Sequence, residues 1–252
     1  MNTLEKQANN YIYGRHPVEE LLKTSPKKIN KIFLREGVRK PDIATIMTLT
    51  SVHRIPVVSI SKKKVIDLVG DVNDQGIIAE SSPTEYLELD QWVESIDLSK
   101  NPAVFVLDEI TDPHNMGAIL RTAAAVGIAG VIIGKHNQVP INGTVWKTSA
   151  GMAGHVPIIR VTNINATLIS LKKSGFWICG LSAHGDPLWK QDLAMPVIFV
   201  VGSEGEGIHM QTLKQCDFAI SIPMQKGVES LNASVSTAIV GYEWLRQNSK
   251  FK

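Results

Sequence analysis

Apolar positions along the chain switch repeatedly between two periods. In HPVEELLK, Val18, Leu21 and Leu22 recur at helical spacing, whereas the following KIFLR is a compact β-rich run. The switch repeats before residue 82: Ile43, Ile46, Met47 and Leu49 stripe a helix over 43–54, PVVSIS reads as strand, KKKVIDLVG as helix and QGIIAES as strand. That alternation predicts a small α/β domain with a largely parallel sheet. The acidic stretch SSPTEYLELDQWVESIDLSKNP has a proline near each end and breaks the periodicity, so it reads as a linker with room for one short helical turn. Beyond it the strands become more apolar: AVFVLDE, GVIIGK, VPIIRV, FWICGLSA, VIFVVGS and FAISIP, with helices expected at 116–126, 145–153, 166–173, 210–215 and 231–247. Continuous apolar strands are buried on both faces, which calls for a parallel sheet covered by helices on both sides. The plan is a domain over 1–82, a linker over 83–101 and a second α/β domain over 102–252.

Composition narrows the class. Hydrophobic residues at 44% and charged residues at 20% fit a folded chain and exclude wholesale disorder. No apolar run reaches the length of a membrane span, and MNTLEKQANNYIYG lacks the apolar core of a secretory signal, so a cytoplasmic protein without membrane attachment is expected. Cys179 and Cys216 offer neither a disulfide framework nor zinc spacing, and the seven histidines show no ligand pattern, with His114 alone beside the candidate site; no metal is expected. Charge is uneven: residues 1–82 hold 13 Lys/Arg against 9 Asp/Glu, residues 83–100 hold 1 against 5, and the remainder 12 against 10. Basic clusters such as Lys62, Lys63 and Lys64 can follow a phosphate backbone or simply be a solvated surface, and charge alone does not decide.

In open parallel sheets ligands bind beyond the carboxyl ends of the strands, which singles out three segments. In VLDEITDPHNMGAILRTAAAVG, Asp112-Pro113 makes a turn, Asn115 can cap a helix starting near Met116, and Arg121 sits on an otherwise apolar helix, where it is either paired or aimed at an anion. The run after VIFVV, Gly202-Ser203-Glu204-Gly205-Glu206-Gly207, matches no phosphate-loop fingerprint; its carboxylates would repel a polyphosphate but suit a positive centre such as a sulfonium. In ISIPMQKGVESLNASVSTAIVGYEWL, Ser230 or Asn232 can cap a last helix rich in small residues, which permit close approach of another helix or a ligand.

Taken together, DPHNMGAILRTA, GSEGEGI and IPMQKGVESLNASVS closely resemble the three motifs of the SpoU family of S-adenosylmethionine-dependent RNA ribose 2'-O-methyltransferases. The resemblance covers the chain from about Pro102 onward. YIYGRHPVEELLK and QGIIAE also resemble the substrate-binding domain of the bacterial branch that methylates a guanosine ribose in large-subunit (23S) ribosomal RNA. The resemblance implies a ribosomal-protein-like α/β sandwich that binds RNA, followed by a SPOUT-type α/β domain with a trefoil knot. It also implies a homodimer whose active site draws on both subunits. Carried over by position, Asn115, Arg121, Glu204, Ser230 and Asn232 belong to the catalytic centre. Gly202, Ile222, Met224, Ser230 and Leu231 would hold S-adenosyl-L-methionine. Asp74 stands before Gln75-Gly76 where relatives often carry His, which loosens the RNA target but not the reaction. A transfer-RNA methyltransferase and a non-catalytic RNA-binding protein of the same fold are the alternatives.

A ribose hydroxyl is a poor nucleophile, so the chemistry needs alignment, help with its proton and support for developing alkoxide charge. Arg121 is expected to bind the target phosphate or alkoxide, since arginine stays protonated, while Asn115, Ser230 and Asn232 position the ribose and Glu204 orients Arg121 or accepts the proton. The structural alternative makes Arg121 a partner for a buried carboxylate such as Glu204.

Overall fold

The computed structural model describes residues 11–248. In chain order these form β1 (Tyr11–Tyr13), α1 (Arg15–Thr24), β2 (Ile29–Arg35), α2 (Ala44–Val52), β3 (Val57–Ile60), α3 (Lys62–Val69), β4 (Ile77–Ser81) and α4 (Leu89–Glu94). There follow β5 (Ala103–Asp108), α5 (Pro113–Val126), β6 (Gly130–Gly134), α6 (Gly143–Thr148), β7 (Ile158–Val161) and α7 (Ile164–Lys173). The chain ends with β8 (Trp177–Pro187), β9 (Val197–Gly202), α8 (Met210–Leu213), β10 (Phe218–Ser221) and α9 (Ala233–Asn248). They assemble into two compact units, one of residues 11–85 with Pro140–His155, the other of Tyr86–Val139 with 156–248.

The first unit is built on a four-stranded sheet ordered β1-β4-β2-β3. Only β2 and β3 run parallel; β4 is antiparallel to both β1 and β2. The expected largely parallel sheet is therefore corrected to a mixed one, because an apolar run such as IIAES reports burial of a strand and not its direction. Pro140–His155 returns to this unit. Val145 and Trp146 are buried, Tyr13 and Thr144 join hydroxyls at 3.0 Å, and Gly143 lies so close to the Tyr11 carbonyl that a Cβ would fall 2.3 Å from it. At the other end His155 Nε2 meets Glu20 Oε2 at 3.0 Å.

The second unit has a six-stranded, wholly parallel sheet ordered β10-β8-β9-β5-β6-β7. Its central strands β5 and β9 are buried almost throughout, as their unbroken apolar runs require. The segment read as a linker contributes to this core. Trp92 on α4 is 2% exposed, stacks on Phe176 at 6.4 Å and donates its indole N–H to the Ala129 carbonyl at 3.1 Å. Acidic neighbours hid this tryptophan in the sequence because they occupy the solvent face of the same short helix. The small residues of α9 serve packing: a Cβ at Gly241 would stand 3.1 Å from Phe105 and 3.3 Å from Val126. No helix of the described residues is long and apolar enough to cross a membrane.

Candidate active site

Strand order in the larger sheet reverses beside β5: the chain goes outward through β6 and β7, then crosses back to β8 and β9. The adjacent strand ends, Asp108 paired with Gly202, therefore mark the crevice where a ligand is expected. Both motif loops leave from this point.

Helix α5 starts earlier than the sequence reading placed it. Asp112, not Asn115, is its cap, accepting the His114 N–H at 2.9 Å, and Pro113 occupies the first turn, where its missing N–H costs nothing. Asn115 is thereby released from capping and turns inward. It is buried, and its Nδ2 donates to Glu204 Oε1 at 2.7 Å. Asn232 closes the triangle: its Nδ2 donates to Asn115 Oδ1 at 2.9 Å and also to Glu204 Oε1. The Asn232 side-chain oxygen Oδ1 caps α9, accepting the Ser234 N–H at 2.9 Å and the Ser234 hydroxyl at 2.6 Å. Of the two expected caps it is Asn232, not Ser230, that performs the role. Three motifs distant in sequence thus share one hydrogen-bonded network. Glu204 Oε2 takes no bond from the described residues.

Next to this network lies a cavity of about 410 Å³ lined by residues 181–184, 201–208 and parts of 220–236. Gly202, Glu204, Ile222, Met224, Ser230 and Leu231 all line it. Its floor needs glycine: a Cβ on Gly202 would lie 2.0 Å from the Gly207 carbonyl carbon and 2.2 Å from the Ile208 nitrogen. The wall at 181–184 comes from a break in register. β10 pairs Ala219 with Gly180 but Ile220 with Asp186, so the intervening residues of β8 bulge out of the ladder.

Arg121 is not in this network. It is exposed on α5 and forms no hydrogen bond or ion pair with the described residues, which rules out the buried pairing with Glu204 within one chain.

One clasp escaped the sequence reading. The Asp108 carboxylate, buried at the end of β5, accepts the His209 N–H at 3.0 Å and faces its ring Nδ1 at 3.2 Å, tying β5 to the end of the glycine-rich loop. Hydrogen bonding and charge attraction from Asp108, helped by Glu109 and Glu206, raise the His209 pKa against the opposing effect of burial. His114 is therefore not the one histidine beside the site. Burial pushes the thiol of Cys179 strongly upward and that of Cys216 up to about 11, which disfavours the thiolate form.

Comparison with known proteins identifies the family. Residues 102–242 match the model of the SpoU rRNA Methylase family, and residues 11–87 match that of RNA 2'-O ribose methyltransferase substrate binding. The chain belongs to the SpoU rRNA methylase family. It is 41% identical, over 94% of its length and 96% of the relative's, to a Staphylococcus saprophyticus protein whose name assigns it to the TrmH family of tRNA/rRNA methyltransferases. It is 37% identical, over 98% of both chains, to the 23S rRNA (guanosine-2'-O-)-methyltransferase RlmB of Pseudomonas putida. The fold is that of the SpoU methyltransferase AviRb from Streptomyces viridochromogenes, with a TM-score of 0.81 and 21% identity over 98% of this chain and 93% of that one.

Proposed function

We propose that this protein transfers a methyl group from S-adenosyl-L-methionine to the ribose 2'-oxygen of a guanosine in 23S ribosomal RNA. The observation that carries the reading is the Asn115–Glu204–Asn232 network at the edge of the glycine-floored cavity. The cavity residues fit the cofactor. Leu181, Ile222, Met224 and Leu231 offer apolar walls to an adenine and a methionine chain, Gly202 lets backbone approach, and Glu204 and Glu206 favour a positive centre. When bound, S-adenosylmethionine supplies an electrophilic methyl group on a sulfonium.

The chain's own residues then divide the remaining work. Two amide donors fix Glu204 Oε1, leaving Oε2 to accept or orient the proton of a ribose hydroxyl. Arg121, exposed and free of partners among the described residues, grips the target phosphate or the developing alkoxide. Ser230, exposed at the cavity rim, positions the ribose. The first unit holds RNA, in line with the substrate-binding match and the basic excess of residues 1–82. A homodimer sharing its active site, a trefoil-knotted cofactor loop and a cytoplasmic location complete the proposal. The name of the staphylococcal relative includes tRNA, so both RNAs belong in the test. Radiolabelled methyl transfer to rRNA and tRNA, with the modified nucleotide mapped, gives a 2'-O-methylguanosine in 23S rRNA if the proposal holds. Label on a base, or on tRNA alone, rejects it.

A further inference from the structure

Within the first unit, a left-handed glycine and the turn before β4 meet beside one lysine. Gly14 stands at φ 96°, Gln75 at φ 53° and Gly76 at φ 84°; for Gln75 this left-handed conformation is unfavourable and is held by its contacts. Gln75 Oε1 accepts the Arg15 N–H at 2.9 Å and its backbone carbonyl accepts Arg15 Nε at 3.4 Å, so the turn before β4 clamps the first turn of α1. The side chain of Lys147, on α6, lies directly over Gly14: a Cβ there would fall on Lys147 Nζ and 3.2 Å from Gln75 Oε1.

The charges around this point do not balance. Asp42 pairs with Arg15 at 3.0 Å and Arg39 at 2.9 Å, and Asp74 pairs with Arg35 at 2.9 Å. Both carboxylates are therefore engaged by arginines, while Lys147 makes no hydrogen bond or ion pair with the described residues. Four cations face two carboxylates, and Arg15 Nη1 is also left without a bond among those residues. Burial lowers the Lys147 pKa, the Asp74 charge acts against that shift, and Arg15 adds to it. A half-buried ammonium next to a guanidinium is disfavoured in isolation and favoured once an anion meets both.

We propose that Lys147 and Arg15, positioned by Gln75 over Gly14, form a binding site for a backbone phosphate of the RNA substrate. The inference rests on the RNA reading above and deepens it. It also gives a role to the excursion Pro140–His155, which carries Lys147 from the catalytic stretch of sequence into the first unit. Asp42 and Asp74 act as positioning residues that aim the arginines.

The test uses the full chain, in vitro-transcribed 23S rRNA and a salt series. Lys147→Gln should weaken RNA binding several-fold and reduce the slope of log Kd against log salt by about one, the signature of one lost phosphate contact. Lys147→Arg should recover most of the loss, and the affinity for S-adenosylmethionine should not change. Lys173→Gln removes the same charge from an exposed position on α7 and should have a smaller effect. Wild-type affinity and slope in Lys147→Gln, or a loss no larger than that of Lys173→Gln, overturns the site. If the wild type binds RNA through Lys147 but transfers no methyl group, the site stands and the methylation reading fails.

Discussion

Asn232 does two things with one amide. Its oxygen caps α9, and its nitrogen holds Glu204 and Asn115. The two roles separate under mutation. Asn232→Ala loses both, with about 1 kcal/mol of stability gone with the cap and turnover falling with the network. Asn232→Asp keeps the capping oxygen but sets a second carboxylate against Glu204, so methyl transfer should collapse, and any loss of thermal stability should come from charge repulsion and shrink as the pH is lowered. Equal turnover in Asn232→Asp and wild type would remove the network from the mechanism. Arg121→Ala makes the converse point. Because Arg121 is exposed and unbonded among the described residues, its removal should leave melting and cofactor affinity nearly unchanged. Turnover should fall by about 3–5 kcal/mol of lost transition-state stabilisation. A lowered melting temperature with normal turnover would make Arg121 a structural residue.

Among the elements, β5 and the loop after β9 are held together by the Asp108–His209 clasp. His209 has its pKa raised above the ordinary 6.5 in the folded state. Its stabilising contribution is therefore complete below about pH 6.5 and is lost as pH rises through the folded value. The stability difference between wild type and His209→Gln, measured by urea unfolding, should be larger at pH 6 than at pH 9. A difference that grows with pH would mean that the ring does not act as a cation there. The elements themselves were largely legible. The apolar strands of the larger sheet stand where their patterns predicted, and the NAS sequence at 232–234 announced a cap. Three things were hidden for physical reasons. The three-residue β1 is too short to show a period. The inward turn of Asn115 depends on Glu204, 89 residues away. Strand direction in the smaller sheet leaves no trace in apolarity.

At the scale of the whole molecule, the chain passes from the first unit to the second within its acidic segment, at Glu85–Tyr86, and returns to the first unit over Pro140–His155. Val145 and Trp146 carry the same apolar signal whichever core receives them, so their return to the first unit could not be read from periodicity. The consequence is testable by truncation. Removing residues 1–82 deprives Pro140–His155 of the sheet and helix it packs against and exposes Val145 and Trp146 to water. The fragment should aggregate or melt well below the full chain by scanning calorimetry, and Val145 and Trp146 replaced by polar residues should restore its solubility. A fragment that is monodisperse and as stable as the intact protein would show that the excursion does not depend on the first unit.

One measurement reaches the proposed reaction directly. The purified protein is incubated with methyl-labelled S-adenosylmethionine and unmodified 23S rRNA, the RNA is digested to nucleosides, and the labelled nucleoside is identified. The account predicts 2'-O-methylguanosine from a single site, absent with Arg121→Ala and Asn232→Asp. Label on a nucleobase, or undiminished ribose label with both variants, would contradict it.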